Sequence, residues 1–140
     1  MKRCFVRKKH KILIYTAFIF IILIIIIAVA FTNIMKSIEK ETENIKLNPV
    51  LFSENLKNTG DGVYEGEYFL KELLGAKIEM SVKNHKIEYI KITEHKNGKG
   101  KPAEIITEDV TDAQSTDVDI ITGATYSSKF ILKAIENSIQ

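Results

Sequence analysis

"AKIEMSVKNHKIEYIKITEH", Ala76 to His95, is the stretch whose reading decides the fold. Its first part alternates without error: Ala76, Ile78, Met80 and Val82 fall on one side, Lys77, Glu79, Ser81 and Lys83 on the other. A period of two is that of a strand with one face on a core and one in water. Asn84-His85 reads as a turn, and "KIEYIKITEH" returns as the next strand, so Ala76 to Glu94 is expected to be a hairpin.

Working outward toward the N-terminus, "VYEGEYFL" (Val63 to Leu70) follows the turn signal Gly60-Asp61-Gly62 and is rich in β-formers. Gly66 inside it suggests either a bulge or the close approach of another backbone. The three strands make a meander with one apolar face. Toward the C-terminus, "KNGKGKPA" reads as a mobile loop by its Gly, Lys and Pro content. "AEIITEDV" reads as a short helix started by Pro102, and "STDVDI" as an extended segment. A last helix is expected from about Ser127, with Phe130, Ile131, Ala134, Ile135 and Ser138 recurring on one face that can lie on the sheet. The fold class is therefore α+β: a small antiparallel sheet packed with a C-terminal helix. Residues 60–140 suffice for one thin core, without room for a deep active-site cleft.

Far upstream the pattern is of another kind. From Ile12 to Phe31 there are 20 residues without a charge. At helical rise they cover about 30 Å, the thickness of a bilayer's hydrocarbon core. In lipid the backbone must satisfy its own hydrogen bonds, which selects a helix despite the many β-branched residues. We expect one transmembrane helix over 12–34, a basic N-terminus over 1–11, a spacer over 35–59 and a folded domain over 60–140. From the end of the apolar run into the spacer, Ile34, Ile38, Thr42 and Ile45 could line a helical face, but a solvated linker is the simpler reading. "VLFSENL" beyond Pro49 reads as a short helix or lid. Ala28-Val29-Ala30 resembles a signal-peptide cleavage site, yet the apolar run exceeds a signal core and no helix breaker precedes it.

Charge orients the chain. Lys2, Arg3, Arg7, Lys8, Lys9 and Lys11 precede the apolar run, which predicts a cytoplasmic N-terminus and a domain outside the cytoplasm. The formal net charge of +2 is misleading, because all 18 acidic residues but only 14 of the 20 Lys and Arg follow the run, a balance of −4. That leaves no basic face for nucleic acid. The single cysteine, Cys4, stands before the apolar run, so the domain beyond it has neither a disulfide nor a thiolate metal site. Asp117 with Asp119 does not have the surroundings of a carboxylate catalytic pair. No catalytic triad and no metal-ligand set stands out.

The chemistry-bearing stretch is "DIITGATYSS", residues 119–128, directly ahead of the last helix. Gly123 permits a positive φ and Ala124 adds almost no bulk. The first turn of a helix presents free N–H groups and the positive end of a dipole, which suit a phosphate. Thr122, Thr125, Ser127 and Ser128 surround that position with hydroxyls, and Ser127 is the expected cap. A plain turn with a cap would account for the same residues.

"DIITGAT" resembles the D-x-x-[ST]-G-A-[ST] flavinylation motif of the FMN-binding domain family, in Asp119, Thr122, Gly123, Ala124 and Thr125. That family includes flavin-carrying subunits of sodium-pumping NADH:quinone reductases and of related ferredoxin:NAD reductases. It also includes single-domain extracytoplasmic proteins of bacterial electron-transfer chains. The resemblance extends from Gly60 to Gln140. Asp61-Gly62-Val63-Tyr64-Glu65-Gly66 stands where the family has D-G-x-Y-x-G, His95 ends the third strand, and Tyr126 with Ser127 or Ser128 follows the motif. Thr122 replaces the commoner Ser, His85 a turn Gly, and "KNGKGKP" an E-T-P-G-L-G-like loop, which points to a small stand-alone branch.

The resemblance implies FMN esterified through its phosphate to Thr125 by a separate Mg²⁺-dependent flavin transferase. Asp119, Thr122, Gly123 and Ala124 would form the recognition sequence, and Tyr126, Ser127 and His95 would contact the cofactor. It further implies an electron carrier whose partners are membrane NADH or quinone dehydrogenases, or else a subunit of a larger reductase. A ligand-sensing domain without covalent flavin is the alternative from another class.

Overall fold

The computed structural model describes the backbone from Lys2 to Gln140 and the side chains from Ile14 onward, so the basic residues before Ile14 and Cys4 lie outside the described side chains. The chain divides into two units, one ending at Lys40 and one running from Glu41 to Gln140.

The first unit is helical. Helix α1 spans Lys2–Glu43, and its segment Ile14–Glu43 has a mean hydropathy of 3.1 over its most apolar window, with none of that window buried in the protein. Ile19 and Phe20 are 67% and 64% exposed. Among the described residues it is the one helix long and apolar enough to cross a membrane. The helix does not stop where the apolar run ends. It continues through residues 35–43, which the sequence suggested as solvated linker, because no Gly or Pro breaks it before Pro49.

In the second unit, strands β1 (Gly62–Leu70), β2 (Leu74–Lys83) and β3 (Lys86–Lys96) form an antiparallel sheet in the order β1-β2-β3. The alternation read from residues 76–83 holds: Ala76, Ile78, Met80 and Val82 are at most 2% exposed. Asn84 and His85 both adopt positive φ (52° and 60°), the pair of left-handed residues that closes a two-residue hairpin with the right twist. β3 carries two irregularities that the sequence reading lacks. The register slips between Ser81 and Val82 and again between Lys77 and Ile78, leaving Glu88 and Thr93 without partners on β2. The two bulges bring Ile87, Ile90 and Ile92, spaced three and then two apart, onto one apolar face.

Helix α2 (Pro49–Asn58) begins where the Asn48 side chain accepts a hydrogen bond from the Leu51 N–H (3.1 Å), with Pro49 in the first turn. The segment expected as spacer thus supplies two core residues, Phe52 and Leu56, four apart on one helix face. A 3₁₀ helix (Lys101–Ile105) leads into α3 (Ile106–Ala113), in the place of the short helix expected after Pro102. Gln114, left-handed at the end of α3, donates to the Ile87 carbonyl (3.0 Å) and accepts from the Ile87 N–H (2.7 Å), so it blocks one position of the β3 edge as a partner strand would.

Helix α4 (Thr125–Asn137) lies across the sheet with Phe130, Ile131, Ala134 and Ile135 buried. It crosses β1 at Gly66, where an added Cβ would overlap the Ala134 carbonyl oxygen. Gly66 pairs regularly with Ile78, so of the two readings of this glycine the close approach is the observed one.

Candidate functional site

The segment ahead of α4 is shaped by one turn and one serine. The Ala124 N–H donates to the Ile121 carbonyl (3.0 Å), closing a turn in which Gly123 has φ +80°. That conformation strains any residue with a Cβ, although space around Gly123 is open. Val118 and Ile121 pack against the core and anchor the approach, while Asp119, Thr122 and Gly123 are exposed. Ser128 ties turn to helix: its Oγ donates to the Ala124 carbonyl (3.0 Å) and accepts from the Ile121 N–H (3.2 Å).

No side chain caps α4. Ser127, expected as the cap, is instead only 6% exposed, because the helix starts at Thr125 and carries Ser127 inward. The first turn therefore keeps its backbone N–H groups open at the positive end of the helix dipole. Thr125, the first residue of the helix, is exposed, and Tyr126 beside it is half-buried.

A second element meets this turn from β3. The loop after His95 folds back so that Gly100 lies directly against Ser127, where a Cβ on residue 100 would overlap the serine side chain. The Ala103 N–H donates to the Gly100 carbonyl (3.0 Å), and Asn97 Nδ2 donates to the His95 carbonyl (3.2 Å), which holds the loop closed. Within it the His95 side chain is 4% exposed, and its Nδ1 lies 2.9 Å from Glu104 Oε1. His95 Nε2 is buried without a partner. Lys96 leaves the loop and sits 5.0 Å from the centre of the Phe69 ring, paired with Glu94.

The residues named from sequence thus fall into two groups. Asp119, Thr122, Gly123, Ala124, Thr125, Tyr126 and Ser127 form one continuous turn and helix start. His95 belongs to the adjoining loop, where its hydrogen bond goes to Glu104 rather than to that turn. Ser128, which the sequence placed among the hydroxyls of this turn, and Gly100 and Glu104, to which it assigned no role, complete the arrangement. One carboxylate and one glycine of a lysine-rich loop carry no local signal, since their partners lie elsewhere in the chain.

Tyr64 and Tyr68 serve packing. Tyr68 stacks on Phe130, with centroids 5.9 Å apart, and burial, followed by the nearby Glu41 carboxylate, pushes its phenol above the ordinary value. Tyr64 donates to the Gly60 carbonyl (2.9 Å). An open cleft of about 310 Å³ lies between β3 and α3, but Glu88, Glu108 and Asp112 line it, a wall that repels an anionic nucleotide. No group of three His, Cys, Asp or Glu among the described residues could hold a metal ion.

Residues 75–140 match the family model of the FMN-binding domain. This chain carries an FMN-binding domain. The match begins at Gly75 in β2 and takes in the hairpin, the loop after His95 and all of α4, so both halves of the site fall inside it. No curated protein and no solved structure matches the chain. The residues present fit the cofactor. An uncapped helix start suits its phosphate, an exposed hydroxyl stands at the first helical residue, and a buried imidazole nitrogen at the start of the loop whose Gly100 abuts Ser127 lacks a partner.

Proposed function

We propose that this chain is a single-pass membrane protein that carries electrons outside the cytoplasm on FMN joined covalently to Thr125. The observation that carries the reading is the exposed hydroxyl of Thr125 at the start of an uncapped helix, behind a turn that only glycine enters without strain. A phosphate ester on that oxygen would place the phosphate beside open backbone N–H groups at the positive end of α4. The exposed turn Asp119–Ala124 can be grasped by a modifying enzyme, because its anchoring is left to Val118, Ile121 and Ser128.

Attachment balances as a transfer from FAD by a Mg²⁺-dependent flavin transferase. The Thr125 Oγ forms a bond to the phosphorus on the riboflavin side, the P–O–P bridge breaks, and AMP leaves. The hydroxyl proton passes to a base of the transferase. Covalent attachment suits a thin domain with a shallow site, from which a merely bound cofactor would be lost to dilution. The flavin ring supplies the redox chemistry when bound, and the protein sets its position and surroundings. Membrane NADH or quinone dehydrogenases are the matching donors. The exposed apolar run of α1 and the basic residues ahead of that run support anchoring with the domain outside.

The test is co-expression of the full chain with and without an active flavin transferase, followed by denaturing electrophoresis and flavin fluorescence. The wild type is expected to fluoresce only with the transferase, and Thr125→Ala not at all. A dark wild-type band beside an active transferase would sink the assignment.

A further inference from the structure

His95 carries a contradiction that packing alone does not resolve. Its side chain is 4% exposed, and a polar atom removed from water needs a partner, yet Nε2 has none. It is the one buried side-chain nitrogen or oxygen left so among the described residues. The opposite nitrogen is well served. Nδ1 lies 2.9 Å from Glu104 Oε1, and an ionised carboxylate only accepts hydrogen bonds, so Nδ1 carries a proton. A neutral imidazole bearing its proton on Nδ1 has a lone pair on Nε2.

We propose that Glu104 is a positioning residue that fixes His95 in the Nδ1-protonated form, so that Nε2 accepts a hydrogen bond from an N–H or O–H of the flavin nucleotide. This rests on the reading of Thr125 as the site of attachment. The loop from His95 to Glu104 is the physical link: its Gly100 abuts Ser127, two residues past Thr125 in the same helical turn. A flavin nucleotide brings donors of both kinds, the imide N–H of its ring and the ribityl hydroxyls. A trapped water is a poorer occupant. Buried waters are retained by about three hydrogen bonds, and no other buried side-chain polar atom is waiting for one.

The chain has only three histidines, so ring-¹⁵N labelling of the full protein in detergent micelles yields a readable spectrum, with His95→Asn identifying the signal. With the ring neutral at alkaline pH, flavin-free wild type is expected to show a protonated Nδ1 and an unprotonated Nε2. Glu104→Gln, which keeps an acceptor oxygen, retains that form, while Glu104→Ala shifts the proton toward Nε2. Loading by the transferase then moves the Nε2 signal upfield as it gains a donor, and the same treatment of Thr125→Ala does not. Nε2 protonated in the flavin-free wild type overturns the role of Glu104, and an Nε2 signal unmoved by loading overturns the flavin as its partner. Loading is read separately by fluorescence of the denatured chain, which keeps a failure at Thr125 distinct. In that event free FMN replaces the covalent form, and an unmoved signal at saturation again overturns the proposal.

Discussion

The two ends of helix α4 treat buried polar groups in opposite ways. Near its C-terminus the Glu136 carboxylate is 3% exposed and saturated. Oε1 accepts from the Asn48 N–H (2.6 Å) and the Thr116 hydroxyl (3.1 Å), and Oε2 lies 3.2 Å from Lys133 Nζ. At the N-terminus the first turn is uncapped, and in the adjoining loop His95 Nε2 is unpartnered. Saturation at one end joins three chain segments and leaves nothing for a ligand. The open groups at the other end cost stability, and on the proposed reading a flavin nucleotide would satisfy them after folding.

Glu136→Ala should be the most damaging change, since it strands a buried hydroxyl, a backbone N–H and a partly buried ammonium. A loss of about 3 kcal/mol is expected in denaturant unfolding, and Glu136→Gln should recover part of it. A loss under about 0.5 kcal/mol would place Glu136 among ordinary surface carboxylates. Ser128→Ala, at the other end, removes two hydrogen bonds that fasten the turn and should cost about 1–2 kcal/mol. Thr125→Ala should leave stability within about 0.5 kcal/mol, as an exposed side chain without a partner, while abolishing covalent flavin. If Thr125→Ala instead destabilised as much as Ser128→Ala, the threonine would be structural and the contrast would fail.

The smallest effect is a pH dependence where β1 meets the middle of the helix. The phenol of Tyr68, against Phe130, is held above its ordinary value by burial and then by Glu41. Below about pH 10 both folded and unfolded chains keep the proton, and its contribution is flat. As pH rises past that point the unfolded chain ionises first, so stability is lost. Tyr68→Phe should remove this component, seen as a shallower fall of the unfolding midpoint above pH 10 than in wild type.

Much of this was legible from local pattern. The error-free alternation of residues 76–83 placed a strand and its buried face, and "DIITGAT" placed the turn because its residues are contiguous. Other features were hidden for a physical reason. Phe52 and Leu56 stand in a charged stretch, and two apolar residues four apart become core only when a sheet offers them a face. The bulges at Glu88 and Thr93 follow from which residue the partner strand leaves unpaired. Ser127 looked like a cap by composition and missed that place because α4 begins two residues earlier.

By itself the sequence determined the features with a period or a fixed local conformation: a charge-free helix long enough for a bilayer, a hairpin with its turn, a glycine turn before a helix. Tertiary structure alone decided which polar groups would be satisfied. Glu136 and Glu104 are both unremarkable carboxylates on short helices in the sequence. One is saturated by residues 88 and 20 positions away, and the other holds a histidine whose far nitrogen is left empty. Helix and strand periods act between near neighbours, whereas hydrogen-bond satisfaction depends on distances between segments that only the completed fold brings together.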